Sequence, residues 1–181
     1  MNIQDAPAYR LLVPAQAVGA SLIYFDLFNA TTSDSDLYVY DIRPIVSGAV
    51  AVTGVVAVDL NLNRTTAVGT GGTAATFNGT SFTAATISSL TPGASPVPGV
   101  TARLTPTGGA TAGAWLGLCS VFTEETNAGT YISMLNEMAR RGMQDAPAIK
   151  VPLGTGLSIV QGTVASVGNI GFELSFQAVK R

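Results

Sequence analysis

Apolar and polar residues alternate with a period of two along much of the chain, the spacing of strands whose two faces meet different surroundings. The pattern is clearest at the C-terminal end. Ile170, Phe172, Leu174, Phe176 and Ala178 share one face there, and Glu173, Ser175 and Gln177 the other. Val50, Val52, Val56, Val58 and Leu60 likewise alternate with Ala49, Ala51, Thr53, Ala57 and Asp59, which predicts a half-buried strand or hairpin. Ser21–Phe28 is apolar on both faces except at Asp26 and reads as a strand buried on both sides. Leu37–Ile42, Trp115–Phe122 and Leu157–Thr163 read as further strands, the first of them stopped by Pro44. Between the first two strands, Asn29–Asp36 is a turn of residues that hydrogen-bond their own backbone. One stretch departs from this period. Tyr131, Met134, Leu135 and Met138 fall at helical spacing, with Thr130 as a cap, Arg140 and Arg141 in the last turn and Gly142 beyond. This predicts one short helix over 131–141, the competing reading being a long ordered loop.

Seven or eight short strands divided by turns rich in Gly and Pro predict an all-β antiparallel β-sandwich or barrel. There is no room for the crossover helices that a parallel sheet requires. The length suits one domain. The expected organisation is an N-terminal arm over 1–20 and a single β-sandwich domain over 21–181, with 65–114 as a Gly/Thr-rich loop or hairpin insertion. Between Thr65 and Thr123 the only charged residue is Arg103. Disordered segments usually carry high net charge and few aromatics. This one is nearly uncharged and holds Phe77, Phe82 and Ile87, so an ordered arm or hairpin is the better reading.

Composition sharpens the picture. Charged residues make up 11% of the chain, against about 25% in ordinary soluble domains. That points either to a membrane or to a surface hidden in an assembly. The longest strongly apolar uncharged run, Ile45–Val58, falls short of the roughly 20 residues of a membrane helix and contains Ser47, Gly48, Thr53 and Gly54. The assembly reading is the stronger one, since an obligate interface resembles a core cut in half. The formal net charge of −2 argues against nucleic acid as the main partner. No basic segment with an apolar stretch opens the chain, so no secretory signal is read and a reducing cytoplasm is the expected place of synthesis.

Candidate chemistry is sparse. The chain has no histidine and one cysteine, Cys119, which excludes histidine-based catalytic triads, histidine-ligated zinc and an intrachain disulfide. Gly69–Gly72 lacks the lysine and following helix of a phosphate loop and reads as a turn, as does Gly154–Gly156. Asp34, Asp36 and Asp41 are close enough in sequence to suggest a cation site, but the pattern of a calcium loop is missing and solvated turn residues are the default. Glu124 and Glu125 are neighbours that a strand would point to opposite faces. Cys119 reads as a small buried hydrophobe. Trp115 is either a core anchor, the default, or an interface anchor. Asn29, Asn63 and Asn78 each open an Asn-x-Thr triplet and read as turn residues. The repeated QDAPA, at Gln4–Ala8 and Gln144–Ala148, is too short to mark a duplication. No catalytic constellation or cofactor site emerges, and the chain is read as a non-enzyme.

The order of segments nonetheless resembles a known group. YFDLFNATTSDSDLYVYDIRPI is followed by an apolar strand, then by Asn63-Arg64-Thr65-Thr66 and GTGGTA, while Val151–Leu157 (VPLGTGL) precedes two terminal strands. This order, over about Ser21 to Val179, resembles the small jelly-roll decoration or cement proteins of tailed bacteriophages. The resemblance implies a trimeric jelly roll on the capsid exterior that binds the major capsid protein or another virion protein and stabilises the shell, without nucleic acid, membrane or cofactor. The alternative is a receptor- or glycan-binding trimeric module of a fibre or other extracellular assembly. Interface residues expected on these grounds are Tyr9, Arg10, Arg43, Arg64, Phe77, Phe82, Arg103 and Trp115, with Asn2–Pro14 as a foothold.

Overall fold

The computed structural model describes residues 6–47, 55–81, 83–108, 112–124 and 148–181. They form twelve strands: β1 (Ala8–Ala17), β2 (Ile23–Asn29), β3 (Ser35–Ser47), β4 (Val55–Thr65), β5 (Thr73–Ala74), β6 (Thr76–Phe77), β7 (Thr86–Ser89), β8 (Val100–Leu104), β9 (Ala112–Glu124), β10 (Ile149–Val151), β11 (Thr155–Gln161) and β12 (Asn169–Lys180). Two six-stranded sheets result, ordered β10-β3-β12-β1-β7-β6 and β5-β8-β2-β11-β4-β9. The described chain is all-β, two antiparallel-rich sheets consistent with a β-sandwich.

Eight of the strands pair in a nested series. The first pairs with the last, Leu11 opposite Leu174. The second pairs with β11, Leu27 opposite Leu157. β3 takes β10, with Val39 opposite Ile149, and β4 takes β9, with Leu60 opposite Cys119. The chain therefore behaves as one long hairpin whose arms are wrapped so that successive pairs fall in alternate sheets. The uncharged segment expected as an insertion lies at the tip of this hairpin, between β4 and β9. It folds back over the first two strands. β7 joins the edge of β1, Leu11 opposite Ile87, and β8 joins the edge of β2, Leu27 opposite Ala102. β5 and β6 extend these two additions, β6 lying parallel to β7.

The core is the space between the sheets. The five apolar residues Ile170, Phe172, Leu174, Phe176 and Ala178 are all buried, together with Leu11, Val13, Leu37, Val39 and Ile42 of the same sheet and Phe25, Leu27, Leu60, Leu62, Leu157 and Ile159 of the other. A bulge in β2 adds to it. Phe25 lies opposite Ile159 but Ile23 lies opposite Val160, so Tyr24 is the extra residue. Tyr24 and Phe25 both reach Phe172, at ring-centre distances of 5.1 and 5.7 Å. Burying each such side chain contributes about 1.5–3 kcal/mol. The Tyr24 hydroxyl donates to Gln161 Oε1 at 2.7 Å, which satisfies its one polar atom, and burial pushes its phenol well above the usual range.

Two expectations change. Residues 8–17 are no free arm: they form β1, held between β12 and β7. Pro14 is accommodated there because the register slips between Val13 and Gln16, a bulge being one of the places where a strand tolerates proline. Opposite it stands Gly171, whose missing Cβ would lie 2.6 Å from the Val13 carbonyl oxygen and 2.9 Å from the Ala15 nitrogen. Pro44 likewise does not end its strand, since β3 continues to Ser47. β10 reaches only Leu37–Val39, so at Pro44 one flank of β3 carries no described strand, where a residue without an N–H is tolerated. The helix expected at Tyr131–Arg141 lies outside the described residues.

Candidate functional site

Across the outer face of the second sheet the register lines up Arg103, Asp26, Ser158, Asn63 and Trp115 in one row. Asp26 and Arg103 are bonded to the hairpin tip, Ser158 and Asn63 are buried, and Trp115 is open to solvent. Asp26 is buried. Its Oδ2 accepts from the backbone N–H of Gly69 at 2.7 Å and its Oδ1 from the Thr65 hydroxyl at 3.2 Å. Burial raises its carboxyl above the ordinary value, and the bonds from Gly69 and Thr65 and the nearby charge of Arg103 only partly offset that. Arg103 in turn donates to the Gly71 carbonyl at 3.0 Å. Both residues therefore pin the 69–71 turn onto the sheet, which is a structural task. Asn63 is also buried, and its Oδ1 has no hydrogen-bond partner.

Trp115 is different. The sequence reading took it by default as a core anchor, yet it is 72% exposed. The cause is a bulge: Gly117 lies opposite Leu62 but Trp115 lies opposite Asn63, so the strand changes phase at Leu116 and turns the indole outward. Leu118, which the sequence reading did not single out, is 58% exposed on the same outer face. Its parity with Ser120, opposite the inward Val121, was visible in the sequence. β9 is also the edge of its sheet. Two large apolar side chains thus stand on an edge strand whose first twelve residues, 112–123, carry no charge and no proline.

The other expected interface residues are dispersed. Tyr9 is buried, stacked on Phe176 at 5.4 Å, with its hydroxyl donating to the Ser95 carbonyl at 2.8 Å. Arg10 pairs with Glu173 at 2.6 Å across β1 and β12. Arg43 pairs with Asp41 at 2.6 Å on β3. Arg64 is half-buried, with one guanidinium nitrogen lacking a partner. Phe77 is half-buried against the core beside Tyr9. Phe82 lies outside the described residues.

The aspartates near the first turn serve as anchors. Asp36 receives Arg181 at 2.5 Å and Lys150 at 2.8 Å. Burial works to raise its carboxyl, but these two cations outweigh burial and hold it below the ordinary value. Asp34 accepts from Ser35 at 2.7 Å and Asp41 is taken by Arg43. Among the described residues no group of three or more acidic or cysteine side chains is placed to hold a metal ion. Glu125 lies outside the described residues. Asn29 and Asn63 are buried in strands rather than presented on turns, and Asn78 takes a turn conformation at φ 48°. A cavity of about 220 Å³ lies within the hairpin tip and reaches Phe176 of β12, lined also by Val68, Phe77, Ile87, Val97 and Arg103 among others. Its lining is mainly apolar, and its one charged group is the arginine already bonded to Gly71. No protein-family model, curated protein or solved structure matches the chain.

Proposed function

We propose that the chain is a structural virion protein: a jelly roll that assembles as a trimer on the exterior of a tailed-bacteriophage capsid and stabilises the shell. The observation that carries this reading is the nested pairing of β1 with β12, β2 with β11, β3 with β10 and β4 with β9. Eight strands divided between two sheets in this order are the plan of a jelly roll, an architecture common in viral capsid and lectin domains. The low charge and the exposed Trp115 and Leu118 on β9, an edge strand among the described ones, support an assembled state. The partners on this reading are other copies of the chain and the major capsid protein or another virion protein, with no role for nucleic acid, membrane or cofactor and no catalysis. Three copies held together present three footholds, which raises effective concentration at a lattice without any single strong contact. The foothold expected at Asn2–Pro14 is withdrawn, because residues 8–14 are part of β1 and held in the sheet.

The test has two steps. Light scattering across a dilution series is expected to give a mass near three times 18.5 kDa. Purified protein is then mixed with capsid shells assembled without it, and co-sedimentation and shell heat resistance are read. Failure to bind shells rejects the decoration role. Glycan binding without shell binding replaces it with a recognition module.

A further inference from the structure

We infer that Asn78 is a site of covalent self-modification, where the Asn78–Gly79 link closes to a cyclic imide and reopens as aspartate or isoaspartate, and that the contact between β6 and β7 holds this reaction in check. The inference goes beyond the proposed function and holds whether or not the chain decorates a shell.

Asn78 is the only asparagine of the chain that glycine follows. It is exposed, stands just after β6, and lies in the left-handed region at φ 48°, which asparagine tolerates better than most residues. Its backbone N–H donates to the Ile87 carbonyl at 2.8 Å. Its side-chain Oδ1 accepts from the Ser89 N–H at 2.9 Å. In a parallel pair the second of these bonds belongs to a main-chain carbonyl, so the side chain completes a ladder that the left-handed turn has interrupted. Gly79 cannot give way to a residue that would shield the link, because a Cβ there would meet the hydroxyls of Thr76 and Thr86.

Without a side chain, glycine leaves its amide nitrogen open to approach. Once hydroxide has removed its proton, the Gly79 nitrogen attacks Asn78 Cγ. A C–N bond forms there, and the side-chain nitrogen leaves as ammonia. Water then opens either ring C–N bond and returns aspartate or isoaspartate, so the net exchange is one water for one ammonia. Ring closure needs the Gly79 nitrogen and Asn78 Cγ on the same side of the Cα–C bond. In the left-handed region that nitrogen stands nearly opposite Cβ, so Asn78 must rotate and surrender Ser89 before it can react. The consequence reaches inward. Either product places a carboxylate in a stretch whose only charged residue between Thr65 and Thr123 is Arg103. Isoaspartate also lengthens the main chain by one carbon, which breaks the alignment with Ile87 and Ser89. β6 has only 2 residues. Its Phe77, next to Asn78, lies 6.4 Å from the Tyr9 ring and lines the cavity within the tip.

The experiment incubates the full chain at mildly alkaline pH, native and in guanidinium chloride, with Ser89→Pro and Asn78→Gln beside wild type. Trypsin then releases residues 65–103, bounded by Arg64 and Arg103, in which Asn78 is the only side-chain amide. Its conversion to acid is read by mass, and isoaspartate is separated from aspartate by chromatography. Unfolded wild type is expected to convert about 10-fold faster than native, the factor for opening two hydrogen bonds of ordinary strength. Ser89→Pro removes the donor to Oδ1 and should fall between the two. Asn78→Gln, which would have to close a larger ring, should convert in neither state. If Ser89→Pro does not fold, native against unfolded wild type carries the comparison. Hydrogen exchange on the isoaspartate product should be faster than wild type at Asn78 and Ser89 and unchanged along β12. Native protein that converts as fast as the unfolded chain, or an unfolded chain that does not convert, overturns the inference. A folded Ser89→Pro no faster than native wild type, or a product that exchanges like wild type at Ser89, overturns the restraint assigned to β7.

Discussion

The side chain of Asp26 accepts a hydrogen bond from the backbone N–H of Gly69 at 2.7 Å, and that contact ties the tip of the long hairpin to β2. A buried carboxylate is a costly fastener unless its acceptor sites are filled. Here the fillers are a main-chain N–H and the hydroxyl of Thr65, both from segments that bracket the start of the uncharged tip. Asp26→Ala leaves both donors buried without an acceptor and is expected to destabilise the protein by about 2 kcal/mol. Asp26→Asn keeps an acceptor for Gly69 and should cost less. Urea unfolding of the three proteins checks the order.

Two aspartates set opposite pH dependences. Burial raises the native Asp26 carboxyl above its ordinary 3.8, so the native state holds that proton more tightly than the unfolded chain. Its share of stability therefore grows as pH falls from neutrality through the raised value toward 3.8. For Asp36 the ion pairs with Arg181 and Lys150 win over burial and lower the carboxyl. That share is complete above 3.8 and is lost as pH falls through the lowered value. Thermal melts from pH 7 to pH 2 should show Asp26→Asn differing from wild type in its slope above about pH 4, and Asp36→Asn in its slope below it. Parallel curves for all three proteins would contradict the assignment.

Gly171 is where β12 allows β1 to bulge around Pro14. A methyl group there would press on main-chain atoms of Val13 and Ala15, at 2.6 and 2.9 Å, which do not rotate away as a side chain does. Gly171→Ala is expected to cost about 1–3 kcal/mol, the range for overpacking a filled site. A change within error of zero, measured by denaturant midpoint, would mean that the bulge relaxes freely.

Phe172 closes the core against Tyr24 and Phe25 from the opposite sheet. Phe172→Ala should destabilise by about 3–5 kcal/mol, while Phe172→Leu, which keeps most of the volume, should cost well under half of that. Calorimetric melting temperatures give the comparison.

Much of this architecture is legible in the residues, and the illegible parts have physical causes. β12 is plain because one face meets the core and the other does not, so its alternation is uninterrupted. β2 is plain because nothing but Asp26 interrupts an apolar run. β1 was read as an arm although Tyr9, Leu11 and Val13 alternate correctly, because Leu12 fills the gap between them and Pro14 imitates a terminus. Trp115 was read as a core residue by default, and the bulge at Leu116 that reverses its side is carried in the register rather than in the side-chain pattern. The destination of the tip was hidden for another reason. Ala102, paired beside Leu27, carries little information about which edge it joins, because small residues fit many neighbours. Among the proposed surface residues Trp115 was anticipated as an interface alternative, whereas Tyr9 belongs to the core and Leu118 became apparent only once β9 was found at an edge.

The nested pairing also sets a timetable for the growing chain. Its first strand lies in the middle of a sheet, yet the partner opposite Leu11 is Leu174, far along the chain. β1 must wait, unpaired on that side, until β12 has been made. Topologies dominated by such distant contacts fold slowly. During that interval the apolar face of Tyr9, Leu11 and Val13 lacks the strand that shields it, and a chain stopped before β12 never acquires that cover. Completion of this sheet is thus a late event, coupled to the arrival of β12.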